Sequence, residues 1–208
     1  MAYETSKCHN LRLVRGDFNR YIRGNILDIG CGPDPVQPPN GIVTPWDLPN
    51  GDATFLETVE DNTFDCVYSS HCLEHLSDVV IALKNWVRVT RNQGYLYITV
   101  PDFIIYEKGN FPSHFNPGHH FTFSISKTRV QVNRSSHYSV IQDILPIMAE
   151  LGCEPIRIDF EDNGYDYSRH EVDQTYEKGW DDTQIDHRDT PNFALSQICT
   201  IWRKKGTK

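Results

Sequence analysis

Residues 25–41 read NILDIGCGPDPVQPPNG, and this run constrains the fold more than any other in the chain. An apolar stretch of strand length leads through Asp28 to Gly30, and Gly32 follows at Gly-x-Gly spacing. Pro33, Pro35, Pro38 and Pro39 come next. Proline lacks the N–H that a helix needs and its ring clashes with the preceding turn, so no ordinary helix can occupy this segment. The chain must leave a buried strand through a glycine turn and cross to the next strand by a loop or a very short helix. In an open parallel sheet ligands bind beyond the carboxyl ends of the strands. Glycines there let the backbone approach a ligand closely. A dinucleotide fingerprint would carry a third glycine where Pro35 stands. A pyrophosphate seated on a helix N-terminus is therefore not expected, and a ligand without phosphate is.

The rest of the chain alternates. FDCVYSS (64–70) is a second buried strand. Val79, Val80, Leu83, Trp86 and Val87 then share one helix face, with Ser77 as the expected N-cap and Gly94 as the residue past the helix end. YLYITVPD (95–102) is a strand stopped by Pro101, residues 138–152 are a helical pattern broken by Pro146, and EPIRIDFED (154–162) and the run 192–205 are strands. Strand–helix–strand alternation implies a parallel sheet with helices on both faces. The last two strands are joined by a polar, aromatic excursion without helical periodicity, so they are expected to be antiparallel neighbours at a sheet edge.

The chain has 208 residues, enough for one domain with a full core. Its net charge of −8 argues against broad backbone-driven nucleic-acid binding, which needs a basic face. No apolar run approaches the roughly 20 residues that span a bilayer. The first residues lack the apolar core of an export signal, so a cytoplasmic location is expected. Cys8, Cys31, Cys66, Cys72, Cys153 and Cys199 are scattered, without a C-x-x-C pair, and are expected to be reduced and mostly buried.

Taken together in this order, LDIGCG, GIVTPWDLPNGDA, VEDNTFDCVYSSHCLEHLSD and VTRNQGYLYITVPD resemble the class I S-adenosylmethionine-dependent methyltransferases. The resemblance runs from about residue 20 to 203. It implies a Rossmann-like α/β fold, with a mostly parallel seven-stranded sheet whose last strand is antiparallel. It implies S-adenosyl-L-methionine as cofactor. Asp28, Gly30, Cys31 and Gly32 would wrap its amino-acid end, and Asp47 would take the ribose diol, since one carboxylate can accept two hydrogen bonds. Asp52 is the alternative for that role. Leu48, Asp52 and Ala53 would flank the adenine, and Ser69, Ser70 and His71 would face the cleft. The proline-rich crossover, FPSHFNPGHHFTFS (111–124) and NGYDYSRHEVDQT (163–175) are similar to a subset of bacterial members, some thought to act on saccharides. That similarity implies a small-molecule or glycan acceptor bound by insertions at about 102–124 and 161–192 of a single domain spanning 1–208. Tyr165, Tyr167, Tyr176 and Trp180 would either stack on a sugar or form the insertion's own small core.

His71, His75, His114, His119 and His120 crowd around these pieces. Methyl transfer to oxygen or nitrogen is helped by a base of pKa near 7, and His71, His119 and His120 are the candidates. Glu74 and His75 are expected at a helix start, where the dipole favours an acid. A competing reading makes His71, Glu74 and His75, with His119 or His120, ligands of a divalent ion. The string is similar to the Glu-x-x-Glu-His of small-RNA 2′-O-methyltransferases, but His replaces the first Glu. The acidic net charge also disfavours RNA, so we assign no metal from sequence. A cofactor-binding subunit without catalysis, supporting an active partner, is the remaining alternative.

Overall fold

The structure is a computed structural model and describes residues 3–113, 115–126, 136–169, 184 and 194–206. Its main sheet has six strands among these residues: β1 (Asn25–Ile29), β2 (Ile42–Trp46), β3 (Phe64–Ser70), β4 (Thr90–Pro101), β7 (Cys153–Glu161) and β8 (Gln197–Lys204). Their order is β2-β1-β3-β4-β8-β7. β1 to β4 pair in parallel, and β8 runs antiparallel to both β4 and β7. Two short strands, β5 (Thr122–Ser124) and β6 (His137–Ser139), pair separately. The helices are α1 (Glu4–Lys7), α2 (His9–Arg15), α3 (Asp17–Arg20), α4 (Val79–Val89) and α5 (Leu145–Glu150).

Successive strand residues point to opposite faces, and both faces are covered. Leu27, Val67, Leu96 and Ile98 pack on Val79, Leu83 and Trp86 of α4. Ile26, Cys66, Tyr68 and Tyr97 face the other way, onto Phe18 and Ile22 at α3. This is why these strands read as continuous apolar runs rather than as alternations. Arg157 on β7 fixes α3 to that face through a two-pronged ion pair with buried Asp17 (2.8 and 2.5 Å), which also accepts from Tyr97.

Four expectations are corrected. Among the described residues the sheet has six strands, where seven were expected. Residues 51–63 form turns instead of a further strand, pinned by Arg88, which donates to the carbonyls of Leu56 and Val59 and to Asp61. The N-cap of α4 is Asp78, not Ser77, because its carboxylate accepts from the Ile81 N–H at 2.9 Å. Gly94 lies inside β4. The helix ends five residues earlier, where Lys204 donates to the Val87 and Thr90 carbonyls, and a Cβ on Gly94 would stand 2.9 Å from the Asp65 carbonyl oxygen. Pro146 opens α5 rather than breaking it, after a wide π turn at Val140–Ile144.

The long segment after β4 folds over the carboxyl ends of the strands. Ile105, Tyr106 and Phe115 form a small core with Tyr165 and Ala194, so Tyr165 serves packing. Tyr167 is exposed. His114, Tyr176 and Trp180 lie outside the described residues, as does most of 161–192. Among the described residues no helix is long and apolar enough to cross a membrane.

Candidate active site

β1 ends in the glycine turn, and its geometry explains both glycines. Gly30 and Gly32 have φ of +71° and +51°, in the region that side chains disfavour. A Cβ on Gly30 would also lie 2.4 Å from the Cys72 side chain. Below the turn, Asp28 is buried and accepts from the Val36 N–H at 2.6 Å. That bond ties down the proline-rich crossover that has no helix to hold it. Burial pushes the Asp28 carboxyl up to about 7, against the lowering effects of the Val36 bond and of Arg12. Asp34 ties the same loop to α1 by accepting from the Ser6 N–H at 2.8 Å.

Asp47 follows β2 and is held by two backbone donors: Gly32 N–H to Oδ2 at 2.6 Å and Leu48 N–H to Oδ1 at 2.7 Å. Asn50 closes the reciprocal bond to the Asp47 N–H. The carboxylate is therefore fixed while half-exposed, and each oxygen keeps a further lone pair. Asp52 caps the next turn through the Thr54 N–H, and the Ala53 carbonyl is anchored by the Trp86 indole at 2.9 Å.

β3 ends at Ser70, and His71 adopts a φ of +52°. The Gln197 amide donates to Glu161, so its oxygen accepts from His71 Nε2–H at 3.0 Å. Leu73–His75 is a single 3₁₀ turn, and α4 begins only at Val79. Glu74 is thus not at the start of a regular helix, and the dipole argument for it fails. It is fully buried, and its backbone carbonyl accepts from the N–H groups of His120 and Phe121, which clips the segment after β4 onto this turn.

A cavity of about 670 Å³ lies where these pieces converge. Gly30, Asp47, Leu48, Asp52 and Ala53 line one side and His71, Cys72, His75, Gly118 and His120 the other. Sites for cofactors commonly fall between about 300 and 1,000 Å³. Eight of the residues singled out in the sequence line it: Gly30, Asp47, Leu48, Asp52, Ala53, His71, His75 and His120. Cys31 and Gly32 sit in the turn but not among its lining. Ser69 and Ser70 are buried, bonded to the Ile29 carbonyl and to Thr99. Burial raises the Cys31 thiol to about 11, so it stays protonated. Cys72, Leu76, Ser77 and Gly118 also line the cavity. Nothing in the local sequence marked them, because they reach it only through the packing of two segments. A second cavity, of about 770 Å³, lies between α1–α2 and residues 163–169, apart from the glycine turn.

His119 does not line the cavity. Its Nδ1 is bonded to buried Glu107, which also accepts from Ser113, and its ring stacks on Tyr106. Burial alone would lower the His119 pKa, but the Glu107 bond and the nearby carboxylates outweigh it and raise it. His75 donates Nδ1–H to the Gly118 carbonyl at 2.9 Å, and burial together with His119 lowers its pKa to about 4.

Residues 42–98 match the family model of the methyltransferase domain. No curated protein matches the chain in sequence. Among solved structures, the YcgJ protein from Bacillus subtilis superposes with a TM-score of 0.52 at 15% identity, covering 96% of this chain and 99% of that one. The complex of the Trm112 methyltransferase activator with a methyltransferase from Haloferax volcanii gives 0.54 at 11% identity, over 97% and 94%. An S-adenosylmethionine-dependent methyltransferase from Archaeoglobus fulgidus gives 0.50 at 18% identity, over 93% and 94%. At such identities the structures speak to the fold, and the family match bears on the chemistry.

Proposed function

We propose that this chain, a class I S-adenosylmethionine-dependent methyltransferase, delivers the methyl group to an oxygen or nitrogen of a small-molecule or saccharide acceptor. The observation that carries the reading is the single cavity that unites the glycine turn, a carboxylate fixed by two backbone donors, and three histidines. When bound, S-adenosylmethionine supplies an electrophilic methyl on a sulfonium. The chain's own residues bind and orient. Asp47 accepts from the ribose hydroxyls with its remaining lone pairs. Leu48 and Ala53 flank the base, and Asp52 offers a second acceptor. The turn at Gly30 admits the amino-acid end because no Cβ fills it.

On the other side, His120 is exposed at the cavity wall with its backbone held by Glu74, placed to take a proton from an acceptor hydroxyl or amine. His71, fixed by Gln197, orients the acceptor, and His119 acts through its neighbours rather than by contact. Most of the rate enhancement would come from aligning two reactants in line, the general advantage of a held geometry.

Calorimetry with S-adenosylmethionine tests the first half of this reading, and no binding would end it. Turnover with a panel of hydroxyl and amine acceptors, read by mass spectrometry, tests the second half. It also separates an enzyme from a cofactor-binding subunit that supports an active partner. His120→Ala should lower kcat by roughly 10²- to 10⁴-fold with cofactor affinity unchanged.

A further inference from the structure

Glu74, His75 and His119 come from two segments more than forty residues apart and point three ligand atoms at one spot. Glu74 Oε1 lies 3.8 Å from Nε2 of both His75 and His119, and all three ligand atoms lie within 4.8 Å of one another. Neither Glu74 oxygen accepts a hydrogen bond from another described residue, nor does His119 Nε2 make one, and both side chains are buried. A buried carboxylate without hydrogen bonds is costly unless something charged neutralises it. A proton would remove the charge but would leave the group without a hydrogen bond, because 3.8 Å is too long for one from a carboxylic acid to either imidazole.

The outer contacts specify what fits. His119 gives its Nδ1 to the Glu107 carboxylate and His75 gives its Nδ1 to the Gly118 carbonyl. Both rings therefore present Nε2 to the common point. Such outer-shell bonds fix the tautomer and orientation of imidazoles that bind metal. We infer that Glu74, His75 and His119 form a binding site for a divalent first-row transition ion, reversing the reading of these residues made from sequence alone. Two imidazoles and one carboxylate suit such an ion better than Mg²⁺ or Ca²⁺, which favour all-oxygen sets. Around a four-coordinate ion with bonds near 2.1 Å, neighbouring ligand atoms stand about 3.4 Å apart, so the two carboxylate-to-imidazole distances need close by only a few tenths of an ångström.

Three protein ligands would leave at least one position open, and His75 joins the site to the cavity. Water or an acceptor hydroxyl held there would lose its proton more readily. That consequence rests on the methyl-transfer reading, but the metal site does not.

The test is a titration of chelator-stripped, full-length protein with Co²⁺, followed by its visible absorption, with Zn²⁺ as competitor. One Co²⁺ per chain, displaced by Zn²⁺ and raising the thermal midpoint, is expected. Glu74→Gln keeps the shape and removes the buried charge, so it should remain folded and bind at least 100-fold more weakly. His75→Ala, truncating a half-exposed ring, should do the same. Glu107→Gln should cost roughly 10- to 100-fold. His120→Ala, a neighbour outside the ligand set, should bind as the unaltered chain does. Absence of stoichiometric Co²⁺, retained binding in both Glu74→Gln and His75→Ala, or loss in His120→Ala would overturn the site. A protein that binds Co²⁺ but not S-adenosylmethionine would keep the metal site and lose the methyl-transfer reading. The opposite result would lose only the metal site.

Discussion

The two walls of the cavity solve the same physical problem in opposite ways. On the wall built by β1 and β2, the cavity-lining carboxylate is matched locally. Asp47 takes the N–H groups of Gly32 and Leu48, and beneath the wall Asp28 takes that of Val36. On the wall built after β3 and β4, Glu74 is buried without a hydrogen bond to its carboxylate from another described residue, facing the imidazoles of His71, His75 and His119. On the first wall the backbone holds the lining carboxylate of Asp47, while Asp28 Oδ1 beneath it is buried without a hydrogen bond from the described residues. The second is completed by contacts between distant segments, and among the described residues its buried carboxylate faces imidazoles without a hydrogen bond. A site whose polar groups are satisfied tolerates changes outside its few key atoms, whereas a site that buries an unanswered charge is tuned by its occupant.

Four changes would break or sharpen this contrast. The largest effect belongs to Gly30→Val, which combines a forbidden φ with a collision against Cys72 where the walls touch. Urea denaturation should show a loss of about 3 kcal/mol or more, since strain and overpacking each cost on the order of 1–3 kcal/mol. Asp47→Ala comes next. Its side chain is half-exposed, so the fold should persist, while calorimetry should show S-adenosylmethionine binding roughly 10- to 100-fold more weakly, as expected when charge-assisted hydrogen bonds worth about 1.5–3 kcal/mol are lost. Retained affinity would move the ribose to Asp52.

The third is a pH effect. The Asp28 carboxyl titrates at about 7 in the fold against an ordinary 3.8, so the folded state holds a proton that the unfolded chain has released. The stability this gives is present in full below the unfolded value and is lost as pH rises through the folded one. Thermal midpoints followed from pH 4 to 7 should therefore decline less for Asp28→Asn than for the unaltered chain, because Asn still accepts from Val36 but carries no proton to lose. Parallel curves would mean that Asp28 is not raised. The smallest effect is that of Leu48→Ser. Leu48 is 86% exposed at the cavity rim, so stability should shift by less than about 0.5 kcal/mol, while cofactor affinity should fall a few-fold. An unchanged affinity would remove Leu48 from the adenine contact.

Much of the first wall was legible in the sequence. Gly30 and Gly32 announce a turn because only glycine adopts their φ without strain, and four prolines forbid a helix after it whatever the tertiary context. The apolar runs of β1, β3 and β4 and the helical face of α4 are periodic signals that short-range chemistry enforces. The turns that join β2 to β3 were not legible. The turns at 51–63 owe their shape to Arg88, a residue on a later helix. The helix-start reading of Glu74 failed for a related reason, since a three-residue turn and a longer helix share the same residue preferences over so short a span.

The sequence by itself determined the glycine turn, the loop crossover, the parallel alternation and the carboxylate after the second strand, because each follows from backbone sterics or from periodicity within one segment. Only the tertiary structure decided which histidine looks into the cavity and which looks away from it. His119 and His120 are adjacent in the chain and alike in chemistry. One is turned inward by Glu107 and Glu74, and the other is left at the cavity wall. Adjacency cannot make that distinction, because it depends on which buried charges another segment brings within reach.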